Sequence, residues 1–207
     1  MNIALFGATG GTGMQVLEQA LEQGHQVRAL VRQPDKLGPR QSEVTVTEGD
    51  VLDQARVDAC IEGTDAVVCV LGSHGGLGGR EPIEARGTAR IIDAMQRLGV
   101  RRLIAVTSLG VGDSVDQVPA FFRVLMKLTL KRIMEAKEEQ ERLIRDSGLD
   151  WTIVRPGGLT DGPKTGDYRF GTDKSIKATR VSRADVADFV LRQLTDERWV
   201  HQAPAIS

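Results

Sequence analysis

Gly7, Gly10 and Gly13 recur at every third position in Phe6-Gly7-Ala8-Thr9-Gly10-Gly11-Thr12-Gly13, directly after the run Asn2 to Phe6 and before an amphipathic stretch. A strand that turns sharply into a helix leaves the first helical N–H groups free, and a turn without Cβ atoms lets a pyrophosphate approach them. Gly7, Thr9, Gly10, Gly11, Thr12 and Gly13 are therefore expected to hold the phosphates of a dinucleotide; a glycine-rich string without this context would be only a tight turn. Arg32 closes the run Val27 to Val31, where an NAD-specific fold often places an acid for the ribose hydroxyls. A guanidinium there favours a 2′-phosphate and hence NADP (NADPH), although Asp35 nearby keeps NAD open and a solvated strand-end charge is the plain alternative. By position, Asp50 and Val51 after the third run place a carboxylate near the adenine amino group, unless Asp50 only caps a turn. Leu71 and Gly72, after the fourth run, are expected by position alone to flank the ribose.

Residues so far apart in sequence meet only if a sheet gathers them. Ile3 to Phe6, Val27 to Val31, Val44 to Thr47, Ala66 to Leu71, Leu103 to Thr107 and Trp151 to Val154 read as strands. Met14 to Gln23, Gln54 to Ile61, Pro82 to Leu98 and Phe121 to Arg145 have helical length and apolar spacing. The alternation is the βαβ rhythm of a parallel sheet, and continuous apolar strands fit burial on both faces. Ser182 reads as an N-cap, with Asp185 at the third helical position, opening a last helix to about Leu194. The chain has 207 residues and no internal repeat or linker, which predicts one α/β domain over 1–207, a Rossmann-type doubly wound parallel sheet. The segments Gly72 to Gly79 and Gly157 to Thr172 follow strands and are the expected ligand loops.

Lys and Arg number 27 against 28 Asp and Glu, so no surplus charge favours nucleic acid or an anionic membrane surface. His25, His74 and His201 have no His or Cys at ligand spacing, and Cys60 and Cys69 are not spaced as a zinc or redox pair, so no metal site is expected. No run reaches membrane-spanning length and no signal segment opens the chain; a reducing, cytoplasmic location is the simplest expectation.

Phe6 to Gly13, Leu30-Val31-Arg32, Gly49-Asp50-Val51, Thr107-Ser108, Glu141 to Leu149 and Arg155-Pro156 together resemble the atypical short-chain dehydrogenase/reductase family with an NAD(P)H-binding domain, nearest the biliverdin-IXβ reductase/flavin reductase group. The similarity spans nearly the whole chain. It implies that Thr107 and Ser108 stand beside the nicotinamide and the substrate, with Ser108 the catalytic hydroxyl; a Ser that only satisfies strand-end backbone groups is the alternative. Arg155-Pro156-Gly157-Gly158-Leu159 has the composition of a rigid bend, and Pro156 and Gly157 are expected to pack their backbone against the nicotinamide ring. The family's usual acid is a Tyr with a Lys four residues later, the Lys lowering the phenol pKa. Here Tyr168 has Thr172 four residues on, and Lys137 has Ile133 where the Tyr would stand. Lys137 either reaches the nicotinamide ribose or is a surface lysine among Glu135, Glu138 and Glu141.

A carbonyl needs proton donation as its oxyanion develops, whereas a flavin or bilin spreads the incoming charge over a conjugated system. The resemblance implies an NADPH-dependent reductase acting on a small molecule, a flavin or biliverdin-like linear tetrapyrrole, and the missing Tyr–Lys pair supports that choice. The alternatives are a non-catalytic NADP(H)-sensing regulator and a cofactor-bound assembly or scaffold protein. Arg123, Lys127 and Lys131 form a basic helix face that reads either as an anion-binding overhang or as an ordinary solvated face.

Overall fold

The first run forms strand β1 (Asn2–Phe6), whose side chains alternate: Ile3 and Leu5 enter the core on one face of the sheet, Ala4 and Phe6 on the other. Burial on both faces requires cover on both. The structure is a computed structural model and describes residues 1–72, 82–119 and 130–207. Among these, β1 is followed by helix α1 (Gly11–Glu22), β2 (Gln26–Val31), 3₁₀ turns within Pro34–Glu43, β3 (Thr45–Glu48), α2 (Gln54–Ile61), β4 (Ala66–Cys69), α3 (Glu84–Leu98) and β5 (Arg102–Val106). The chain continues through a 3₁₀ turn (Gly112–Gln117), α4 (Lys131–Asp146), β6 (Asp150–Pro156), β7 (Gly158–Thr160), β8 (Phe170–Gly171), β9 (Arg180–Ser182), α5 (Arg183–Arg192), a 3₁₀ turn (Glu197–Trp199) and β10 (Ala205–Ile206).

The main sheet runs β3-β2-β1-β4-β5-β6-β10-β8. Its pairings are parallel apart from β8 against β10, and β7 pairs with β9 separately. The order of the first six strands is that of a doubly wound Rossmann sheet, with the direction of winding reversing between β1 and β4. Val16, Leu17, Phe189 and Val190 of α1 and α5 pack on the face of Ile3 and Leu5. Val57, Ile61, Ile91, Met95 and Ile144 of α2, α3 and α4 pack on the face of Phe6. No helix among the described residues is long and apolar enough to cross a membrane. Both cysteines are free and buried, and burial pushes the Cys60 thiol up to about 12 and that of Cys69 upward as well. Neither presents a thiolate.

Several boundaries shift for physical reasons. Helix α1 starts at Gly11, three residues before Met14, because the Met14 N–H already donates to the Gly10 carbonyl at 2.8 Å. Strand β4 ends at Cys69, short of Leu71. Strand β6 extends past Val154 to Pro156, since β10 pairs with Arg155 and Pro156. Strands β3 and β5 are offset by a residue from the expected spans, α3 begins at Glu84 instead of Pro82, and α5 ends at Arg192 instead of Leu194. The N-cap reading holds: the Asp185 N–H donates to Ser182 Oγ at 2.9 Å. Of the helix expected over Phe121 to Arg145, the part from Lys131 is α4; Arg123 and Lys127 lie outside the described residues, as do residues 73–79 of the first ligand loop.

Candidate dinucleotide-binding site

The carboxyl ends of β1 to β5 surround a cavity of about 500 Å³. At its centre the β1–α1 turn is closed by backbone contact. Gly7 has φ +89°, its carbonyl accepts from the Gly10 N–H at 3.0 Å, and a Cβ on Gly13 would overlap that same carbonyl. The turn thus admits no side chain between strand and helix. Gly10 caps α1 without a side-chain hydrogen bond, and no acid stands in the first helical turn. The N-terminal N–H groups and the helix dipole are left to an external anion, and the residues present fit a dinucleotide diphosphate.

Of the residues singled out in the sequence, Gly7, Thr9, Gly10, Gly11, Thr12, Gly13, Arg32, Asp50, Val51, Leu71, Gly72 and Thr107 all line this cavity. Asp50 does so while Oδ1 accepts from the Leu52 N–H at 2.9 Å, so the turn-forming role is real and leaves the carboxylate on the wall. Lys36 joins Arg32 at the β2 end. It stands four residues on, in the 3₁₀ turns, and its spacing from Arg32 was the available signal.

At the other end stand Val106, Thr107, Lys137 and Leu159. Thr107 is buried, and its hydroxyl donates to Glu141 Oε1 at 2.7 Å. Glu141 also accepts from Arg155 Nε at 2.9 Å and Nη2 at 2.5 Å, and Arg155 Nη2 reaches Asp113 at 2.6 Å. The Thr107 proton is committed to this buried network, which leaves its oxygen as an acceptor. Lys137 lies one helical turn before Glu141 on the inward side of α4, and its half-buried side chain forms part of the wall. The surface-lysine alternative is set aside. Burial pushes its ammonium below the ordinary lysine range, against the carboxylates of Glu84 and Glu141.

Three expected residues stand off the wall. Ser108 is half-buried, and its Oγ donates to the Leu109 carbonyl at 3.2 Å. Pro156 and Gly157 are drawn into the sheet by β10, the Gly157 N–H donating to the Ile206 carbonyl at 2.9 Å. The bend reaches the cavity through Leu159, which is 39% exposed.

Tyr168 is turned away. Its hydroxyl donates to Asp188 at 2.6 Å, and its ring meets Phe170 and Phe189. Burial and the Asp188 carboxylate push the phenol above the usual tyrosine range. Tyr168→Phe is therefore expected to leave single-turnover nicotinamide oxidation within a few-fold of the parent. A loss of about a hundredfold, the scale of a general acid, would contradict this placement.

A doubly wound sheet with an anion-ready glycine turn at its switch point defines a Rossmann-type nucleotide-binding domain. The chain belongs to the NAD(P)H-binding family, which it matches over residues 7–197. An uncharacterized chloroplastic protein of Arabidopsis thaliana is 33% identical over 94% of this chain and 72% of its own length. A (4-alkanoyl-5-oxo-2,5-dihydrofuran-3-yl)methyl phosphate reductase of Streptomyces griseus is 30% identical over 74% of this chain and 46% of its own. Among solved structures, ChuY, an anaerobilin reductase from Escherichia coli O157:H7, superposes with a TM-score of 0.83 at 29% identity, covering 100% of this chain and 96% of that one.

Proposed function

We propose that this protein is an NADPH-dependent reductase of planar conjugated acceptors, either a flavin or a biliverdin-like linear tetrapyrrole. The observation that carries the proposal is the make-up of the far wall: among the described residues it offers Val106, Leu159, a threonine oxygen and a lysine ammonium, and no phenol. An apolar wall with one cation suits a flat acceptor on which charge is spread. The likeness to a tetrapyrrole reductase supports this acceptor class, and the Streptomyces relative is named for reducing an oxo-dihydrofuran, another unsaturated ring.

When bound, the reduced nicotinamide supplies the hydride. The glycine turn and the α1 N-terminus would hold the diphosphate, Arg32 and Lys36 the 2′-phosphate, and Val51, Leu71 and Ile83, which line the same cavity, would enclose the adenosine side. Thr107, fixed by Glu141, accepts a hydrogen bond from the ligand. Lys137 offsets the negative charge that develops on the acceptor and holds a transferable proton. Ser108, next in sequence to Thr107, is a relay hydroxyl after rotation from the Leu109 carbonyl. We place this chemistry in a reducing cytoplasm, consistent with free, buried thiols.

Two measurements test this. NADPH should bind more tightly than NADH, and Arg32→Ala should remove most of the preference: a charge-assisted phosphate contact contributes about 1.5–3 kcal/mol, or roughly tenfold to a hundredfold. Equal affinities in the unaltered protein would contradict the 2′-phosphate assignment. In an acceptor screen, FMN, riboflavin or a biliverdin isomer should drive NADPH consumption well above simple aldehydes and ketones. Enzymatic rates confined to small carbonyls would sink the acceptor class.

A further inference from the structure

We infer that Arg183 is a ligand for the cofactor's diphosphate, held in place by Asp161 until the diphosphate arrives. Arg183 is the first residue of α5, and its side chain lies across the phosphate turn: a Cβ on Gly11 would come within 2.8 Å of its Nε and 2.9 Å of its Cδ. The same side chain lines the dinucleotide cavity. It is a poor location for a cation alone, because the N-terminus of α1 carries positive partial charge with no acid in its first turn. Its partner is Asp161, with Nη1 to Oδ1 at 2.5 Å, yet Asp161 is 89% exposed and the pair is screened by water. A diphosphate over Gly11 would meet both the helix N–H groups and the planar guanidinium, whose paired donors match phosphate oxygens. Binding would then exchange Asp161 for the diphosphate.

The diphosphate is common to NADPH and NADH, so Arg183 should favour both equally, in contrast to Arg32 and Lys36. The inference rests on the family's binding of NAD(P)H and is independent of the acceptor. The test is titration of the intact protein with NADPH and with NADH, followed by nicotinamide fluorescence. Arg183→Gln should weaken both cofactors about tenfold and by the same factor. Asp161→Asn, a change at an exposed side chain, should tighten both by about twofold, because the guanidinium no longer leaves an anion. Unchanged affinities in Arg183→Gln, a loss confined to NADPH, or weaker binding in Asp161→Asn would overturn the assignment. An unaltered protein that bound neither cofactor would contradict cofactor binding itself, and that result appears before any substitution is made.

Discussion

Arg155→Met should destabilise the protein by about 3–5 kcal/mol, the usual cost of removing one partner from a buried ion pair. Arg155 and Glu141 are each 4–5% exposed in their side chains, and Arg155 supplies two of the hydrogen bonds that Glu141 accepts. Without it the carboxylate keeps the Thr107 hydroxyl and Arg145, whose Nη2 is 3.6 Å away and whose side chain is 39% exposed. That is weak compensation. For a chain of this size the loss corresponds to a fall in Tm on the order of 10 °C. Glu141→Leu combined with Arg155→Met should recover much of the loss, since it removes both buried charges together. Urea denaturation of the two variants makes the comparison, and a single-variant loss under about 1 kcal/mol would show that the pair does not hold the β5–α4–β6 junction together.

Lys137→Met should slow hydride transfer at saturating NADPH by about a hundredfold or more, the scale expected for a group that supplies charge and proton at the acceptor. The pH dependence carries the sign. In the proposed reaction the ammonium is the active form, and burial lowers its pKa, so the rate should fall as pH rises through that lowered value, sooner than for an ordinary lysine. Lys137→Arg keeps the charge without a proton that leaves at accessible pH. It should retain part of the rate and lose the alkaline fall. Ser108→Ala should cost only a few-fold, more with a tetrapyrrole than with a flavin, because a reduced flavin takes its proton from solvent more readily. If Ser108→Ala were the more damaging change, the proton would pass through the hydroxyl and not the ammonium.

The glycine-turn end of the cavity was legible in the sequence because its requirements are local. Gly7 and Gly13 are fixed by a turn of seven residues, and Arg32 by the end of one strand. The far end depends on packing between distant segments. Lys137 carries the same local pattern as a solvated helix lysine, and only the docking of α4 on the sheet, through Ile144 in the core and Glu141 on Arg155, turns it inward. Arg183 and Leu159 belong to segments brought together by the β7–β9 pair, two three-residue strands with no periodicity to read. Pro156 and Gly157 miss the wall for a related reason: β10, two residues long, captures the end of β6.

The most direct test of the proposed reaction is a single turnover of the purified protein with NADPH deuterated at nicotinamide C4, using FMN and a biliverdin isomer as acceptors in anaerobic buffer. Hydride transfer at the proposed site predicts acceptor reduction at the rate of NADPH oxidation, a primary isotope effect for one of the two C4 epimers, and in Lys137→Met a rate about a hundredfold lower with the isotope effect retained. NADPH that binds tightly but reduces neither planar acceptor, while NADP and NADPH differ in their effect on the protein's binding to a macromolecular partner, would contradict a reductase and point to an NADP(H)-sensing protein.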